Sequence, residues 1–452
     1  MRNLNKHLLL LSLLFLLSCQ SILKRNVASN FHISNNTKQL VTWETKANAV
    51  SNRSNEVIRV EHYEIPLRLL EQDIDESLDS EVKKSLIFTK NGEQYLRWLI
   101  NPEDSKWHLE VKAFLQKNNL DSEPKIFFDG YLTASRSMII VNPTNGASFS
   151  LKVSTNKTGG KWTDKKQTWK DAQQVRKMNK YLQDILPNME TESLVIMDEP
   201  GAWGIKELDH GMIMRSLNDL PSDGHYYLPA FSVLHEEEGV RIAKLNGSTD
   251  VAKYWDKHFN QPLAQAMAEY FAITGAWYDS PHAQNFLVEL DRDMKPTGKI
   301  VLRDLGDSYL LDDFVKNTKF AAMTKNWEEG KVLTGKMITS IGLLHGNSPP
   351  SWLTAMEYKE YGWNFYIEFE KRFSKISNIP VHELTMTNMK QLLFDYSIKS
   401  YNTTTDSWQK FLHFANCMNG EAKTLKGESC PEFYLKKQKK IQCFQGINAI
   451  IN

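Results

Sequence analysis

Charge, long apolar runs and cysteine are all scarce in this sequence, and each scarcity excludes a class of protein. The formal net charge is only +1 over 452 residues, which argues against the strongly basic surface of a nucleic-acid-binding protein. After the first twenty residues, no apolar run is long enough to cross a membrane. The chain has four cysteines, Cys19, Cys417, Cys430 and Cys443, at spacings that match no zinc or iron–sulfur pattern.

The N-terminus has the parts of an export signal. A basic start, Arg2 and Lys6, precedes the apolar segment Leu8–Leu17, and "LLSC" then ends at Cys19. This ending resembles the lipobox of bacterial lipoproteins, in which the cysteine becomes the lipidated N-terminus. We therefore expect residues 1–18 to be a signal peptide and Cys19 to carry a palmitate-type lipid, which would hold the protein on a membrane.

Gln20, in place of an aspartate after Cys19, favours the periplasmic face of the outer membrane in a Gram-negative cell. A plain secretory signal or an N-terminal anchor is the alternative interpretation of this segment. If Cys19 is lipidated, three cysteines remain, and export favours one local disulfide in the C-terminal tail. The sequence leaves their pairing open.

The rest of the chain divides into three regions. Residues 19–60 are rich in Ser, Asn, Lys and Thr, which predicts a flexible tether. Residues 61–315 mix helical and strand patterns without a βαβ rhythm, so we predict an α+β core with mixed sheets. Residues 316–452 have a mainly helical pattern.

Several elements of the core are predicted from pattern. "KIFFDGYL", "SRSMIIVNP", "SFSLKVST", "ESLVIMDE" and "YYLPAFSVLHEE" are typical of strands, whereas "EQYLRWLI" is helical or mixed. A polar helix is expected to end at Pro187, and Pro262 predicts a helix break or a new helix start. The charged stretches "LDHGMIMR" and "LHEEEG" are expected to be solvated loop and surface groups.

The stretch "SPHAQNFLVELDRDMKPTGKIVLRDLGDSY" predicts a β-hairpin, because the turn signal "DRDMKPTG" separates two apolar runs. A hairpin returns its ends to one place, so Asn285 and Asp304 could face one Mg²⁺, which prefers oxygen ligands. Protein kinases use an asparagine and an aspartate in this way. His282 could donate to a phosphate oxygen. An ordinary polar-tipped hairpin is the alternative.

Three segments together resemble the active-site region of the NRPS-independent siderophore (NIS) synthetases, of the aerobactin-synthetase type. Gly275, "HAQN" and "RDLG" match the family's helix–glycine, His-x-Gln-Asn and Arg-Asp-x-Gly elements. Upstream, "TASRSMIIVNPTNGASFSLKVST" is similar to the family's Ser-x-Arg-Thr segment and Lys-Leu-Ser strand. "YYLPAFSVLHEE" is similar to its Arg-Glu strand, with His235 in place of arginine. The likeness covers Thr133 to Asp313 in the right order.

The resemblance implies a palm-like nucleotide-binding core. Its chemistry would be ATP- and Mg²⁺-dependent activation of a small carboxylate as an acyl-adenylate, which an amine or alcohol then captures. It also implies the site residues: Lys152, Arg136 and His282 in catalysis, Ser137, Gln284, Asn285 and Arg303 at the nucleotide, and Asp304 with Asn285 at the metal.

Some positions depart from the family pattern. Ala134 replaces a serine and Ser137 a threonine, and the arginine that follows the Lys strand has no clear match, although Lys157 and Lys161 are possible substitutes. No counterpart of the family's long N-terminal substrate region is recognisable before Thr133, so the acid substrate is not predicted.

The expected compartment conflicts with the expected nucleotide, because the periplasm and the cell surface hold little ATP. Three alternatives therefore stay open. The chain is another nucleotide-dependent transferase, or a non-catalytic exported lipoprotein that uses the fold as a binding module, or a protein that is secreted onward and meets ATP inside another cell.

Overall fold

The part of the chain that the structure describes contains eighteen strands. This computed structural model describes residues 35–47, 56–158, 163–188, 190–217, 224–274, 276–278, 283–311, 332–333 and 350–377. The strands are β1 (Ile58–Pro66), β2 (Glu71–Ile74), β3 (Ile87–Lys90), β4 (Glu93–Leu99), β5 (Lys125–Leu132), β6 (Ser137–Val141), β7 (Ser148–Lys152), β8 (Thr155–Lys157), β9 (Thr163–Lys165), β10 (Leu194–Ile196), β11 (Gly201–Ile205), β12 (His210–Ser216), β13 (Tyr226–Pro229), β14 (Ala276–Tyr278), β15 (Phe286–Leu290), β16 (Pro296–Leu302), β17 (Ser308–Leu311) and β18 (Val332–Leu333).

Nine α-helices accompany these strands within the same ranges. They are α1 (Asn35–Thr45), α2 (Ser80–Leu86), α3 (Trp107–Lys117), α4 (Trp169–Ile185), α5 (Ala230–Val233), α6 (Glu236–Leu245), α7 (Val251–Trp255), α8 (Gln261–Thr274) and α9 (Ala355–Ser377). None of the helices in the described ranges is both long and apolar enough to span a membrane. The predicted α+β class is confirmed.

The largest sheet is antiparallel and has the strand order β2-β11-β12-β7-β6-β5-β1-β4-β3. Because side chains alternate between faces along a strand, its residues divide into two sets. Met138, Ile140 and Leu151 belong to an apolar core that also contains Val82 of α2 and Phe114 of α3. On the opposite face, the polar residues Ser137, at the start of β6, and Lys152, at the end of β7, lie side by side.

A second layer contains the four-stranded sheet β10-β16-β15-β13 and the helices α8 and α9. The predicted hairpin is confirmed: β15 and β16 pair antiparallel, and the Arg303 amide donates to the Asn285 carbonyl at 3.1 Å. Pro262 lies at the start of α8, as expected. Aromatic side chains join α8 to α9, with the Phe271 and Phe373 ring centroids 5.4 Å apart.

Three local predictions were wrong. Part of the predicted tether is the helix α1, because Leu40, Val41 and Trp43 are buried against the rest of the protein. "EQYLRWLI" is mostly strand β4, since it pairs with β1 on one side and β3 on the other. "YYLPAFSVLHEE" is strand only over β13, because the chain turns into α5 at Pro229, which precedes the first helical residue.

The C-terminal region is described only around α9, and all four cysteines lie outside the described residues. The export signal, the lipid on Cys19 and the pairing of Cys417, Cys430 and Cys443 therefore stay predictions.

His62 on β1 is a buried base that makes the folded state sensitive to acid. Its side chain is 2% exposed, and neither ring nitrogen has a hydrogen-bond partner in the described chain. Burial, helped by the positive charge of Arg97, lowers the His62 pKa from 6.5 to about 4. Between these two values the unfolded chain binds the proton and the folded protein does not.

We therefore expect the free energy of unfolding to fall as the pH drops from 6.5 towards 4. This single group contributes a slope of up to about 1.4 kcal/mol per pH unit. Replacing His62→Leu should reduce the slope without leaving a polar group unpaired. Urea denaturation of both proteins at pH 7.0 and 5.0 measures the difference. Equal slopes in the two proteins would contradict this assignment.

Candidate functional site

Three cationic side chains surround one carboxylate at the polar end of the large sheet. Lys152 is the last residue of β7, and its Nζ lies 2.5 Å from Oδ1 of Asp304, which follows β16. Arg215 of β12 places Nη2 3.8 Å from the same oxygen. The registers explain this meeting, because Lys152 pairs with Ser137 of β6 on one side and Ile213 of β12 on the other.

Arg136 is the third cation, in the turn that leads into β6. Its Nη1 donates to the Lys166 carbonyl at 2.9 Å, whereas its Nε is buried and has no hydrogen-bond partner among the described residues. Ser135 in the same turn has φ +60°, and its amide donates to the Thr158 carbonyl at 3.1 Å. An unpaired buried donor is costly unless a ligand or water satisfies it.

The charges of this cluster set the ionisation of its members. Burial acts to raise the pKa of Asp304, but Lys152, Arg215 and Arg136 outweigh it and hold that pKa well below its usual range. Burial also lowers the pKa of Lys152, and Arg136 and Arg215 lower it further, while Asp304 opposes them. Asp304 is therefore ionised at neutral pH, and the cations exceed the charge that it neutralises.

Asp304 is held in a backbone conformation that L residues rarely adopt. Its φ is 68° and its ψ 63°, in the left-handed region, and a 3-10 turn over Leu305–Asp307 follows it. Such a conformation costs of order 1–3 kcal/mol and persists only where the surroundings impose it. In this conformation the Asp304 carboxylate contacts Lys152.

Glu199 supplies part of that constraint. Its carboxylate is buried, with 0% side-chain exposure, and its Oε1 accepts from Arg215 Nε at 2.9 Å and Nη2 at 2.7 Å. The other oxygen accepts from the Leu305 amide at 3.2 Å. Helix α4 holds the Glu199 backbone in turn, because the Glu199 amide donates to Asn179 Oδ1 at 2.9 Å. One carboxylate therefore positions both Arg215 and the turn after Asp304.

Glu199 also affects the charge of Arg215. Burial acts to lower the pKa of Arg215, but Glu199 and Asp304 raise it above its ordinary value. Arg215 thus remains a full positive charge inside the protein.

The two ends of the hairpin adjoin the cluster through internal contacts. Arg303 donates through Nε and Nη2 to the Gln284 carbonyl at 2.8 and 2.6 Å. Gln284 Nε2 donates to the Ala134 carbonyl at 3.0 Å, which ties the hairpin to the turn of Arg136. Asn285 and Ser137 are buried. The Gln284 and Arg303 side chains are thus engaged in hydrogen bonds to the backbone carbonyls of Ala134 and Gln284.

The described residues supply only part of the ligand set that a metal ion needs. In the part of the chain that the structure describes, no group of three or more His, Cys, Asp or Glu side chains is placed to hold a metal ion. Asp304 is a single carboxylate, with its side chain 23% exposed. Mg²⁺ in nucleotide sites is commonly held by one or two carboxylates together with phosphate oxygens and waters. The residues fit that mode of binding, and they do not fit a metal ion held by protein alone.

The structure brings together Lys152, Arg136 and Asp304, with Gln284, Asn285, Arg303 and Ser137 adjacent. His282, Gly275 and Lys161 lie outside the described residues. Lys157 is elsewhere: its side chain is 74% exposed and its Nζ lies 3.8 Å from Glu103. His235 caps the N-terminus of α6, where it accepts from the Glu238 amide. The roles given to all these residues stay predictions.

Sequence reasoning missed Arg215 and Glu199. Arg215 was expected to be solvated, but it is 4% exposed, and His210 in the same stretch is 2% exposed and 2.9 Å from Glu110. The reason is that "HGMIMRS" is strand β12, which lies inside the large sheet between β11 and β7, and its residues His210 to Arg215 are buried. An arginine near the end of a mostly apolar strand was the signal in the sequence.

Comparisons with known proteins support this geometry at the level of the fold. No family model matches the sequence, and no curated protein matches it significantly. Among solved structures, ATP-bound aerobactin synthetase IucA from a hypervirulent Klebsiella pneumoniae superposes with a TM-score of 0.51 at 13% identity. That alignment covers 71% of this chain and 63% of the synthetase.

The petrobactin biosynthesis protein AsbB from Bacillus anthracis has a TM-score of 0.51 at 14% identity, over 74% of this chain and 67% of its own. The described chain therefore has an NIS-synthetase-like fold, and it spans less than two thirds of the first of these relatives. At such low identity the likeness establishes the fold alone.

The network around Glu199 makes a prediction about stability. Replacing Glu199→Ala leaves the buried Arg215 guanidinium without its main partner, and breaking a buried pair in this way costs about 3–5 kcal/mol. Urea denaturation should detect the loss. Glu123→Ala is a matched control, since it removes only an exposed partner of Lys112 and is expected to change stability little. Equal effects of the two substitutions would contradict the role given to Glu199.

Proposed function

We propose that this protein binds ATP with Mg²⁺ at the Lys152–Asp304 cluster and is a ligase-like enzyme that activates a small carboxylate. The main support is the excess of positive charge in the cluster, where the three cations Lys152, Arg136 and Arg215 meet the two carboxylates of Asp304 and Glu199, in a fold that it shares with a synthetase solved with ATP bound. Three cations suit a polyphosphate, and the unpaired Nε of Arg136 is a donor available to a phosphate oxygen.

The roles of the residues follow from charge and position. Lys152, Arg136 and Arg215 would neutralise phosphate oxygens, and Arg136 would also donate from its Nε, which has no hydrogen-bond partner among the described residues. Asp304 would exchange its contact with Lys152 for the metal ion, which its carboxylate would hold. Bound Mg²⁺ would supply further charge neutralisation at the phosphates. Glu199 would act only through Arg215 and Leu305.

The proposed reaction has two steps. A carboxylate oxygen of the substrate attacks the α-phosphorus, the new O–P bond forms, and the bond to pyrophosphate breaks with its electron pair on the leaving group. An amine or alcohol then attacks the acyl carbon, AMP leaves, and the nucleophile loses a proton. Positioning of the two reactants and preorganised positive charge are the contributions that these side chains can make.

Nucleotide binding is the first test. At ATP–Mg²⁺ concentrations 100-fold above Kd, the protein from residue 20 onward should gain about 2.7 kcal/mol of stability, which raises its denaturation midpoint. Lys152→Met and Asp304→Asn should each weaken binding about 10- to 150-fold, the equivalent of one charge-assisted contact of about 1.5–3 kcal/mol. Isothermal titration calorimetry gives the constants.

The exposed pair on α7 offers matched controls for these variants. Lys253→Met and Asp250→Asn make the same chemical changes where the side chains are 85% and 44% exposed, and they should leave binding unchanged. ATP-dependent pyrophosphate exchange with a panel of small carboxylates then tests the chemistry. If the folded wild-type protein binds no nucleotide, the proposal fails and the non-catalytic binding module is the better interpretation.

We also propose that the protein is exported and anchored by a lipid on Cys19. The support is the signal-like sequence of residues 1–18 and the lipobox-like "LLSC". In a bacterial host, metabolic labelling with palmitate should mark the wild-type protein but not Cys19→Ala. The labelled protein should sediment with membranes. Equal labelling of both proteins would contradict the assignment.

A further inference from the structure

The N-terminal helix α1 contacts the candidate site through a buried ion pair. Glu44 is 2% exposed, and its Oε1 lies 2.6 Å from Nη1 of Arg303, whose side chain is 9% exposed. The other two nitrogens of the same guanidinium bind the Gln284 carbonyl. Arg303 therefore uses all three nitrogens to connect α1 with the hairpin end, immediately before Asp304.

The connection continues to the other half of the site. Gln284 Nε2 donates to the Ala134 carbonyl at 3.0 Å, and Ala134 precedes the strained Ser135 and Arg136 in one turn. A line of direct contacts thus runs from Glu44 through Arg303 and Gln284 to the turn of Arg136. It connects the two segments that carry Asp304 and Arg136, which come from different sheets.

Helix α1 is itself held firmly at its C-terminal end. Trp43 is 1% exposed, its Nε1 donates to Glu238 Oε1 at 2.8 Å, and its ring meets Tyr226 edge to face at 6.4 Å. The Ser232 hydroxyl donates to the Trp43 carbonyl at 3.2 Å. An isolated helix of eleven residues is marginal in water, so this packing is what keeps Glu44 in place.

We propose that Glu44 is a positioning residue for the site: α1 holds Arg303, and through Gln284 it sets the geometry of both the Asp304 and the Arg136 segments. The proposal rests on the proposed function only in that the ligand to be positioned is ATP with Mg²⁺. Loss of the Glu44 charge leaves the buried Arg303 guanidinium with only the neutral Gln284 carbonyl as its partner among the described residues, which loosens the contacts that it organises.

The test compares Glu44→Gln with Glu269→Gln. Both remove one buried carboxylate charge that is paired with a buried arginine, but Glu269 contacts Arg372 of α9 and lies outside the line of contacts. Amide hydrogen exchange is measured first without nucleotide. Glu44→Gln should raise exchange about 10-fold in both segments 133–137 and 283–285, whereas Glu269→Gln should not. Raised exchange at α1 alone, or the same pattern in both variants, overturns the proposal.

A second variant interrupts the line at another point without burying a charge. Gln284→Met should raise exchange in segment 133–137 and leave α1 unchanged, so the proposal stays testable even if Glu44→Gln does not fold. No change at 133–137 in Gln284→Met overturns the proposal.

Measuring nucleotide affinity distinguishes a failure of the positioning role from a failure of the proposed function. Glu44→Gln should raise the Kd for ATP–Mg²⁺ about 10-fold, and Glu44→Asp, which keeps the charge, should restore part of the affinity. An unchanged Kd in Glu44→Gln overturns the positioning role. If the wild-type protein binds no nucleotide while the exchange pattern is as expected, the proposed function fails and the coupling between α1 and the two segments stands.

Discussion

The ion pair between Lys152 and Asp304 is the contact on which the rest of the site depends. It joins the last residue of β7 in the large sheet to Asp304, the second residue after β16 of the smaller sheet, across 152 positions of sequence. A buried pair of this kind is stable only with good geometry and further partners. Arg215 and Glu199 supply them, so the two sheets meet in one arrangement.

The cluster as a whole carries more positive than negative charge, which favours the binding of an anion. Strand register and the buried carboxylate of Glu199 place its cations, and Glu199 and Asp304 oppose the effect of burial on Arg215. The left-handed conformation of Asp304 is maintained by the same network. Strain and buried charge in one place are typical of a functional site, because a purely structural core would be more stable without them.

Local pattern predicted much of the fold correctly. The strands β5, β6 and β7, the helix α4 and the β15–β16 hairpin follow from alternation, periodicity and turn residues, which depend on neighbours along the chain. The order of three motifs also indicated Lys152, Arg136 and Asp304, which the structure brings together. Pattern failed for β4, where pairing on both sides imposed a strand on a segment of mixed character.

The sequence by itself determined many of the elements, the hairpin and the residues at its two ends, since those are properties of short segments. Only the tertiary structure decided that Arg215 and Glu199 belong to the site and that α1 is joined to it through Glu44 and Arg303. The physical reason is burial: an arginine or glutamate looks solvated in a sequence until the strands and helices around it remove the water. Which charges then pair depends on registers that no single segment encodes.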